Sequence, residues 1–327
     1  MDTTTHSPSE STAERVWDGV IVGGGAAGLS AGIVLARAQF ATLVVDGGAP
    51  RNGLAQHIHG YLTRDGMAPK EFIATGQDEF TRYGGTLMRA AVAGVRRTVD
   101  GTFELRLEDA RSLRTRSLLV ATGLTDELPD IPGLSEGWAS LVHHCPHCHG
   151  YEVRGRTIAV IGSTMAWPSA HLAALTRRYS PSVTFCVNGA EIGTAERQRL
   201  TAYGVRLVNA RVTGVVTATD DKAPARIELD NGDKVTCEAI FVAPHPVPHD
   251  AILTALGVDK DPVSGFVTVD ASGATTVDGL WAAGNVVNPR AQVVVAAGAG
   301  STTAIAMTSW LLERELSAAV SDNGGAS

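Results

Sequence analysis

The sequence predicts an α/β protein of two three-layer (ββα) units, the second inserted into the first, and three stretches of chain carry that expectation. "DGVIVGGGAAGLSAGIVLARAQFATLVVDGG", from Asp18, runs strand, glycine turn, helix, strand. "RTIAVIGSTMAWPSAHLAALTRRYSPSVTFCVNGAEIG", from Arg156, repeats that order. "TTVDGLWAAGNVVNPRAQVVVAAGAGSTTAIAMTSWLL", from Thr275, places one more strand before a glycine and a helix of small residues. Strand, glycine turn and helix in this order make the βαβ unit of a parallel sheet, so both units are expected to be Rossmann-like dinucleotide folds.

The 327 residues are enough for two domains, each with its own core. The boundaries expected are a disordered tail over 1–16, one domain from 17–124 and 245–318, an inserted domain over 125–244, and a tail over 319–327. A net charge of −7 gives no support to nucleic-acid binding, which needs a basic face. No apolar run is expected to approach the roughly eighteen residues of a membrane span. "MDTTTHSPSESTAERVWDG" at the start lacks the charged-then-apolar order of a signal peptide. Of four cysteines, Cys186 and Cys237 sit singly in apparent strands and are expected to be buried free thiols. Such usage suits a reducing cytoplasm, where a CxxC pair is more often catalytic or metal-binding than structural.

The first unit opens with a strand over Val20–Val22, the turn Gly23-Gly24-Gly25-Ala26-Ala27-Gly28, a helix over Ala27–Ala38 and a strand over Ala41–Val45 that leads to Asp46. Gly23 makes the tight turn, Gly25 lets backbone approach a pyrophosphate, and Gly28 permits close helix–strand packing. The helix N-terminus favours the phosphates. Asp46 stands where a carboxylate accepts hydrogen bonds from ribose hydroxyls. Later, "RSLLVATGLTDELPDIPGL" sets a strand before Ala121-Thr122-Gly123, and another strand precedes Gly284-Asn285. Taken together these segments resemble the flavoprotein disulfide reductases. The resemblance implies an FAD site completed by the Ala121–Gly123 and Gly284–Asn285 segments, with residues up to Gln292 and Val293 reaching the ribityl chain and flavin ring. Asn285 stands where that family usually carries Asp; an amide also hydrogen-bonds a ribityl hydroxyl, so FAD is still expected.

The order FAD half, inserted CxxC domain, FAD half resembles the low-molecular-weight thioredoxin reductases over nearly the whole chain after the tail. That resemblance implies a homodimer and an inserted domain that binds NADPH. Here the second turn, Gly162 to Trp167, keeps only the first glycine. Met165 and Trp167 add bulk where backbone should press on a pyrophosphate, and Pro168 fixes the chain direction. After the second strand the chain reads "VNGAEIG", with no arginine for a 2′-phosphate and with Glu191 to repel one. Arg177 and Arg178 lie earlier, at a helix end that favours positive charge. Productive NADPH binding is not expected.

"HHCPHCHGYE" (His143–Glu152) holds the other two cysteines. Cys145 and Cys148 fit a zinc half-site, an inert disulfide or a redox pair. Zinc would need a second pair at recognisable spacing, and none is present, so no metal is expected. For a redox pair without NADPH, the electrons run inward: a dithiol reduces the disulfide, the dithiol so formed reduces FAD, and molecular oxygen reoxidises the flavin. His147, between the cysteines, can stabilise a thiolate and make the disulfide more oxidising.

"DGGAPRN" (Asp46, Gly47 to Arg51 and Asn52), "HIHGYLTRDG", "CPHCHGYE" and "LWAAGNVVNPRAQVVVAAGAGS" resemble the FAD-dependent dithiol oxidases of natural-product pathways, which close disulfides of the gliotoxin, holomycin and romidepsin kind; the bacterial holomycin type is nearest. This implies a small-molecule dithiol substrate, with Cys145 as the exposed sulfur that the substrate attacks and Cys148 as the one toward the flavin. His144 and His149 flank the pair as candidate bases, His149 foremost, with a structural role open for either. His57, His59 and Tyr61 would line a substrate cleft or simply pack a loop. "VAPHPVPHDAILTALG" reads as the return linker, with His245 and His249 exposed. Two other readings stay open: an NADPH-dependent thioredoxin reductase, and a flavoprotein that senses redox state or sequesters a dithiol without turnover.

Overall fold

The computed structural model describes residues 15–163, 166–217 and 224–324. Residues 1–14 of the expected tail, Thr164, Met165 and the Trp167 side chain lie outside the described residues, as do 325–327. In chain order the first elements are β1 (Val16–Val22), α1 (Ala26–Arg37), β2 (Thr42–Asp46), α2 (Pro69–Arg82), β3 (Thr86–Arg89), β4 (Val92–Arg97), β5 (Phe103–Leu107), β6 (Ser112–Val120) and β7 (Leu124–Glu127). The middle of the chain adds β8 (Val142–His143), α3 (Pro146–His149), β9 (Ile158–Ile161), α4 (Ala166–Thr176), β10 (Val183–Cys186), α5 (Thr194–Ala202) and β11 (Val205–Val208). Then come β12 (Val212–Val216), β13 (Ala225–Leu229), β14 (Lys234–Cys237), β15 (Ala239–Val242) and β16 (His245–Pro248). The last elements are α6 (Ala251–Ala255), β17 (Leu280–Ala282) and α7 (Val293–Gly324).

Two compact units result. Unit 1 holds residues up to 53, 68–125 and those from 248; unit 2 holds 54–67 and 126–247. The loop over 54–67, which the sequence places in the FAD half, therefore belongs to unit 2. In it Ile58 is buried and exchanges backbone hydrogen bonds with Gly66 and Met67.

The sheet of unit 1 runs β3-β2-β1-β6-β5-β4, with β17 also on β6. β6 is long enough to serve two partners on one edge: Ser112–Thr115 pairs antiparallel with β5, and Leu118–Val120 pairs parallel with β17. Strand periodicity sorts the side chains between two cores. Val20, Val22, Leu43, Val45, Leu118 and Val120 fill one, with Phe103 and Leu105 of β5. Their neighbours Ile21, Val44 and Leu119 fill the other, against Leu35 of α1 and Met307 and Leu311 of α7. A Cβ at Gly300 would lie 2.0 Å from the Ala27 carbonyl oxygen, so only glycine lets α7 come this close to α1.

Unit 2 repeats the plan. Its parallel sheet runs β11-β10-β9-β15-β8, and β12-β13-β14 form a separate antiparallel sheet. Ala159, Ile161, Cys186, Ile240 and Val242 pack with Ile227, Val235 and Cys237 of the antiparallel strands. Ile158, Val160, Phe185 and Phe241 pack with Ala170, Leu172 and Ala173 of α4. The chain crosses between the units through β7 and β16, which pair with each other.

Several boundaries move. β1 begins at Val16, inside the expected tail, and α7 continues to Gly324, through much of the tail expected from 319. Val293–Ser321 of α7 is also long and apolar enough to cross a membrane by length and composition, with a hydropathy of 1.3. That corrects the expectation of no such run: small residues and aliphatics adapted to packing on α1 pass the same test. Cys186 and Cys237 are free and buried, as expected. Burial pushes their thiols up to about 11 and about 12, so neither is a nucleophile near neutrality.

Candidate functional site

In unit 1 the glycine turn is an open cradle. Gly23 has φ +109°, and a Cβ there would lie 2.3 Å from the Ala121 carbonyl oxygen. A Cβ at Gly28 would lie 1.8 Å from the Gly23 carbonyl oxygen. These two positions admit only glycine. Around Gly25, by contrast, there is nothing within 4 Å of the Cβ position, and no side chain caps α1 there. The amides of Ala26, Ala27 and the rest of the first turn are left to an anion. Asp46 accepts a hydrogen bond from the Gly24 amide at 2.9 Å, which fixes its carboxylate beside the turn with acceptor capacity to spare.

The space continues past Gly47 and Gly123, neither of which has a neighbour within 4 Å of its Cβ position. Arg51 donates to the Pro289 carbonyl at 3.0 Å, and Asn52 beside it is half-buried. Thr122 donates its hydroxyl hydrogen to the His249 carbonyl at 2.7 Å. His249 is exposed but not idle: Nδ1 lies 3.0 Å from the Thr122 carbonyl and Nε2 lies 2.7 Å from Thr125 Oγ1. A neutral ring protonated on Nδ1 satisfies both, so this linker histidine fixes the turn after Ala121.

Asn285 corrects the sequence reading in detail. Its Nδ2 donates to the carbonyls of Asn288 and Ala291 at 2.9 and 3.0 Å, leaving Oδ1 as the group free to accept. A carboxylate there would face two carbonyls with no hydrogen to give, which supplies a local reason for the amide. Gln292 offers its carbonyl to Ala296 at the start of α7, beside Val293. The uncapped helix, the open glycines and the placed carboxylate fit a dinucleotide.

In the corresponding turn of unit 2, the described Gly162 and Ser163 have partners within the protein. The Ser163 amide donates to Ser169 Oγ at 3.2 Å, so an N–H that would meet a phosphate is already used. Asn188, just after β10, donates to the Gly162 carbonyl at 2.9 Å and accepts from the Val212 amide at 2.8 Å. Glu191 is exposed. The structure does bring arginines to this loop from elsewhere, which the sequence reading missed: the Arg211 guanidinium lies 3.4 Å from the Cβ position of Gly189. Arg197 donates to the Ile192 carbonyl at 3.0 Å and to Asn209 Oδ1 at 2.5 Å, so its charge is held by the loop itself.

The cysteines lie in unit 2. Cys145 and Cys148 form a disulfide with Cα atoms 5.3 Å apart, Cys145 standing as the N-cap of α3. Both are half-buried, and His147 between them is exposed. At Gly150 a Cβ would lie 2.5 Å from the Pro146 carbonyl oxygen and 2.7 Å from the Tyr179 ring, so glycine alone closes this tight turn. His144 stacks on Trp138 with centroids 5.5 Å apart and planes 20° apart. His149 stacks on His143 at 4.5 Å and 18°. Burial holds the His149 imidazole below its ordinary range, while the Glu152 carboxylate and the Cys145 carbonyl oppose that shift. No aligned hydrogen bond reaches its Nδ1. His59, from the 54–67 loop, reaches Asp65 with Nδ1 at 3.4 Å and Glu152 with Nε2 at 3.5 Å. His57 meets only its own loop, through Nδ1 and the Gly66 carbonyl at 3.0 Å.

Sequence reasoning missed His143, Glu152, Ser169 and Asn188. Asn188 had a signal, since it follows its strand much as Asp46 ends its own. Ser169 and His143 had none, because their roles depend on how a helix returns over a strand.

Residues 17–300 match the pyridine nucleotide-disulphide oxidoreductase family. Thioredoxin reductase tcpT of Claviceps purpurea is 31% identical over 288 residues, 84% of this chain and 88% of that protein. The crystal structure of HlmI is 40% identical with a TM-score of 0.91, covering 96% of this chain and 98% of its own. The putative thioredoxin reductase TrxB from Bacillus anthracis shares the fold, with a TM-score of 0.85 at 24% identity and coverage of 91% and 99%.

Proposed function

This chain belongs to the pyridine nucleotide-disulphide oxidoreductase family, whose thioredoxin-reductase-like members bind FAD, and we propose that within it the chain is a dithiol oxidase: R(SH)2 + O2 → RS2 + H2O2. The observation that carries this reading is the second turn, where the Ser163 amide, an N–H that a pyrophosphate would meet, is already given to Ser169. A flavoprotein with a redox disulfide and no hydride supply draws its electrons from thiols.

His149 is the proposed base. Held neutral by burial, it takes the proton of a substrate thiol, and the thiolate attacks Cys145. The Cys145–Cys148 bond breaks, Cys148 leaves as a thiolate, and a mixed disulfide forms between substrate and Cys145. The second substrate thiol, once deprotonated, attacks the substrate sulfur, which closes the ring and releases Cys145 as a thiolate. Two electrons and two protons have then left the substrate. When bound, FAD supplies the two-electron acceptor that restores the disulfide and passes the pair to oxygen. Gly25, the first turn of α1, Asp46, Arg51, Thr122 and Asn285 are proposed to hold it. The exposed Ile305, Leu312, Leu316 and Val320 of α7 suit a second copy of this chain, and the free Cys186 and Cys237 suit a cytoplasmic site.

A reductase driven by NADPH is the second reading, favoured by Arg211 beside the Gly189 loop. One experiment separates them. Anaerobic protein is mixed with dithiothreitol or, separately, with NADPH, and flavin absorbance is followed. Bleaching by dithiothreitol alone, with colour and one peroxide per disulfide returning in air, supports the oxidase. Rapid bleaching by NADPH overturns it.

A further inference from the structure

We propose that His143 is a positioning residue for the His149 base: clamped between Phe241 and the His149 ring, it sets the plane of that ring and shields its inner face from water. The inference rests on the reading of His149 as the proton acceptor. Register makes the clamp. β8 and β15 pair in parallel with His143 opposite Phe241, and their rings lie 5.5 Å apart. Two residues beyond β8, the chain turns through Cys145 into α3 and returns His149 to stack on the His143 ring, at 4.5 Å and 18°. His143 is only 6% exposed. The short α3 and the glycine that must follow it leave His149 little other place to go.

Two imidazoles in face-to-face contact are not readily both cationic, and the more deeply buried one stays neutral. Burial, then the His149, His144 and Arg156 charges, hold His143 down at about 3, so it stays neutral wherever the enzyme works. No aligned hydrogen bond reaches the His143 Nδ1 among the described residues, as suits a wall rather than a relay. The charged groups facing His149 are Glu152, which favours its protonation, and His59, which opposes it. Neither shields the ring. A neutral flat side chain does, and the proton of the substrate thiol therefore goes to His149, on a ring already aimed.

The test is the acid limb of turnover with dithiothreitol, read beside the imidazole titration of His149 by NMR. Bound-flavin absorbance reports that each variant is folded. His149 accepts only when neutral, and burial lowers its titration, so the wild-type limb lies below the ordinary 6.5. His143→Ala lets water onto the ring, and both readouts shift upward toward 6.5. His143→Phe keeps a flat apolar face and leaves both where they were. If His143→Ala loses its flavin, His143→Gln, close in volume but polar, carries the same upward shift. Unmoved midpoints in the Ala or Gln variant overturn the proposal, as does an upward shift in the Phe variant. His149→Gln separates the two ideas: an acid limb that persists there sinks the base reading, whereas its disappearance beside unmoved His143 variants sinks only the clamp.

Discussion

Two βαβ turns of the same design have diverged within one chain. In unit 1 the carboxylate of Asp46 accepts from Gly24, and the position above Gly25 is open. In unit 2 Ser169 takes the Ser163 amide, and the Asn188 amide bridges Gly162 and Val212. The parallel strands around the two turns follow one order, β3-β2-β1-β6 and β11-β10-β9-β15, so the difference is made by side chains at the turn. A fold outlasts its ligand when the backbone donors that met the ligand find partners within the protein, because a buried amide left unpaired would cost about 1–3 kcal/mol. Unit 2 also carries the cysteine helix after its edge strand, where the proposed chemistry lies.

The sharpest way to break this comparison is to remove that chemistry and ask whether unit 1 notices. Cys148→Ser should keep bound flavin and lose dithiol oxidation by on the order of a thousandfold or more. Undiminished turnover would take the pair out of the mechanism. Next in size is Gly25→Val. The space beside Gly25 is empty, so the variant should fold, but the side chain would occupy the approach of a pyrophosphate. Flavin affinity should fall by roughly ten- to a hundredfold, a loss of about 1.4–2.8 kcal/mol. Equal flavin titration of variant and wild type would show that the cradle lies elsewhere.

Ser169→Ala probes the other turn. It frees the Ser163 amide without opening the Asn188 bridge, so flavin bleaching by NADPH should remain slow and rise by no more than a few-fold. Fast bleaching would mean that one hydroxyl had been the whole barrier. The variant leaves that amide without its Ser169 partner and should cost about 1–3 kcal/mol in denaturant unfolding.

Much of this was legible in the sequence. The apolar runs "VIV", "LVV" and "LLV" gave the strands of the sheet, and Gly23, Gly25 and Gly28 announced the cradle because backbone sterics demand or permit glycine there. That the second turn departs from the first was visible as missing glycines. The partner of the Ser163 amide was not, since a serine in the first turn of a helix meets that amide only when the chain folds back on it. Likewise Asn285 looked like a weakened Asp, and only its two carbonyl partners show why an amide stands there. Arg211 reached the Gly189 loop from a distant strand, and the 54–67 loop joined unit 2, for the same reason: tertiary contacts ignore sequence order.

The smallest expected effect falls on the titration of His149. Glu152 favours the charged form of His149 and so partly offsets the burial that lowers its pKa. Glu152→Gln removes that support, and the His149 titration moves further down. Since the neutral ring is the active one, the acid limb of turnover moves down with it: the variant gains relative to wild type at acid pH and matches it on the plateau above. The direction is opposite to that of His143→Ala, although both residues touch the same ring environment. His59 would keep its Asp65 partner and lose the Glu152 one, so the 54–67 loop should stay in place. An acid limb that moves up in Glu152→Gln would mean that the carboxylate acts on catalysis by another route, with His149 no longer the group that titrates.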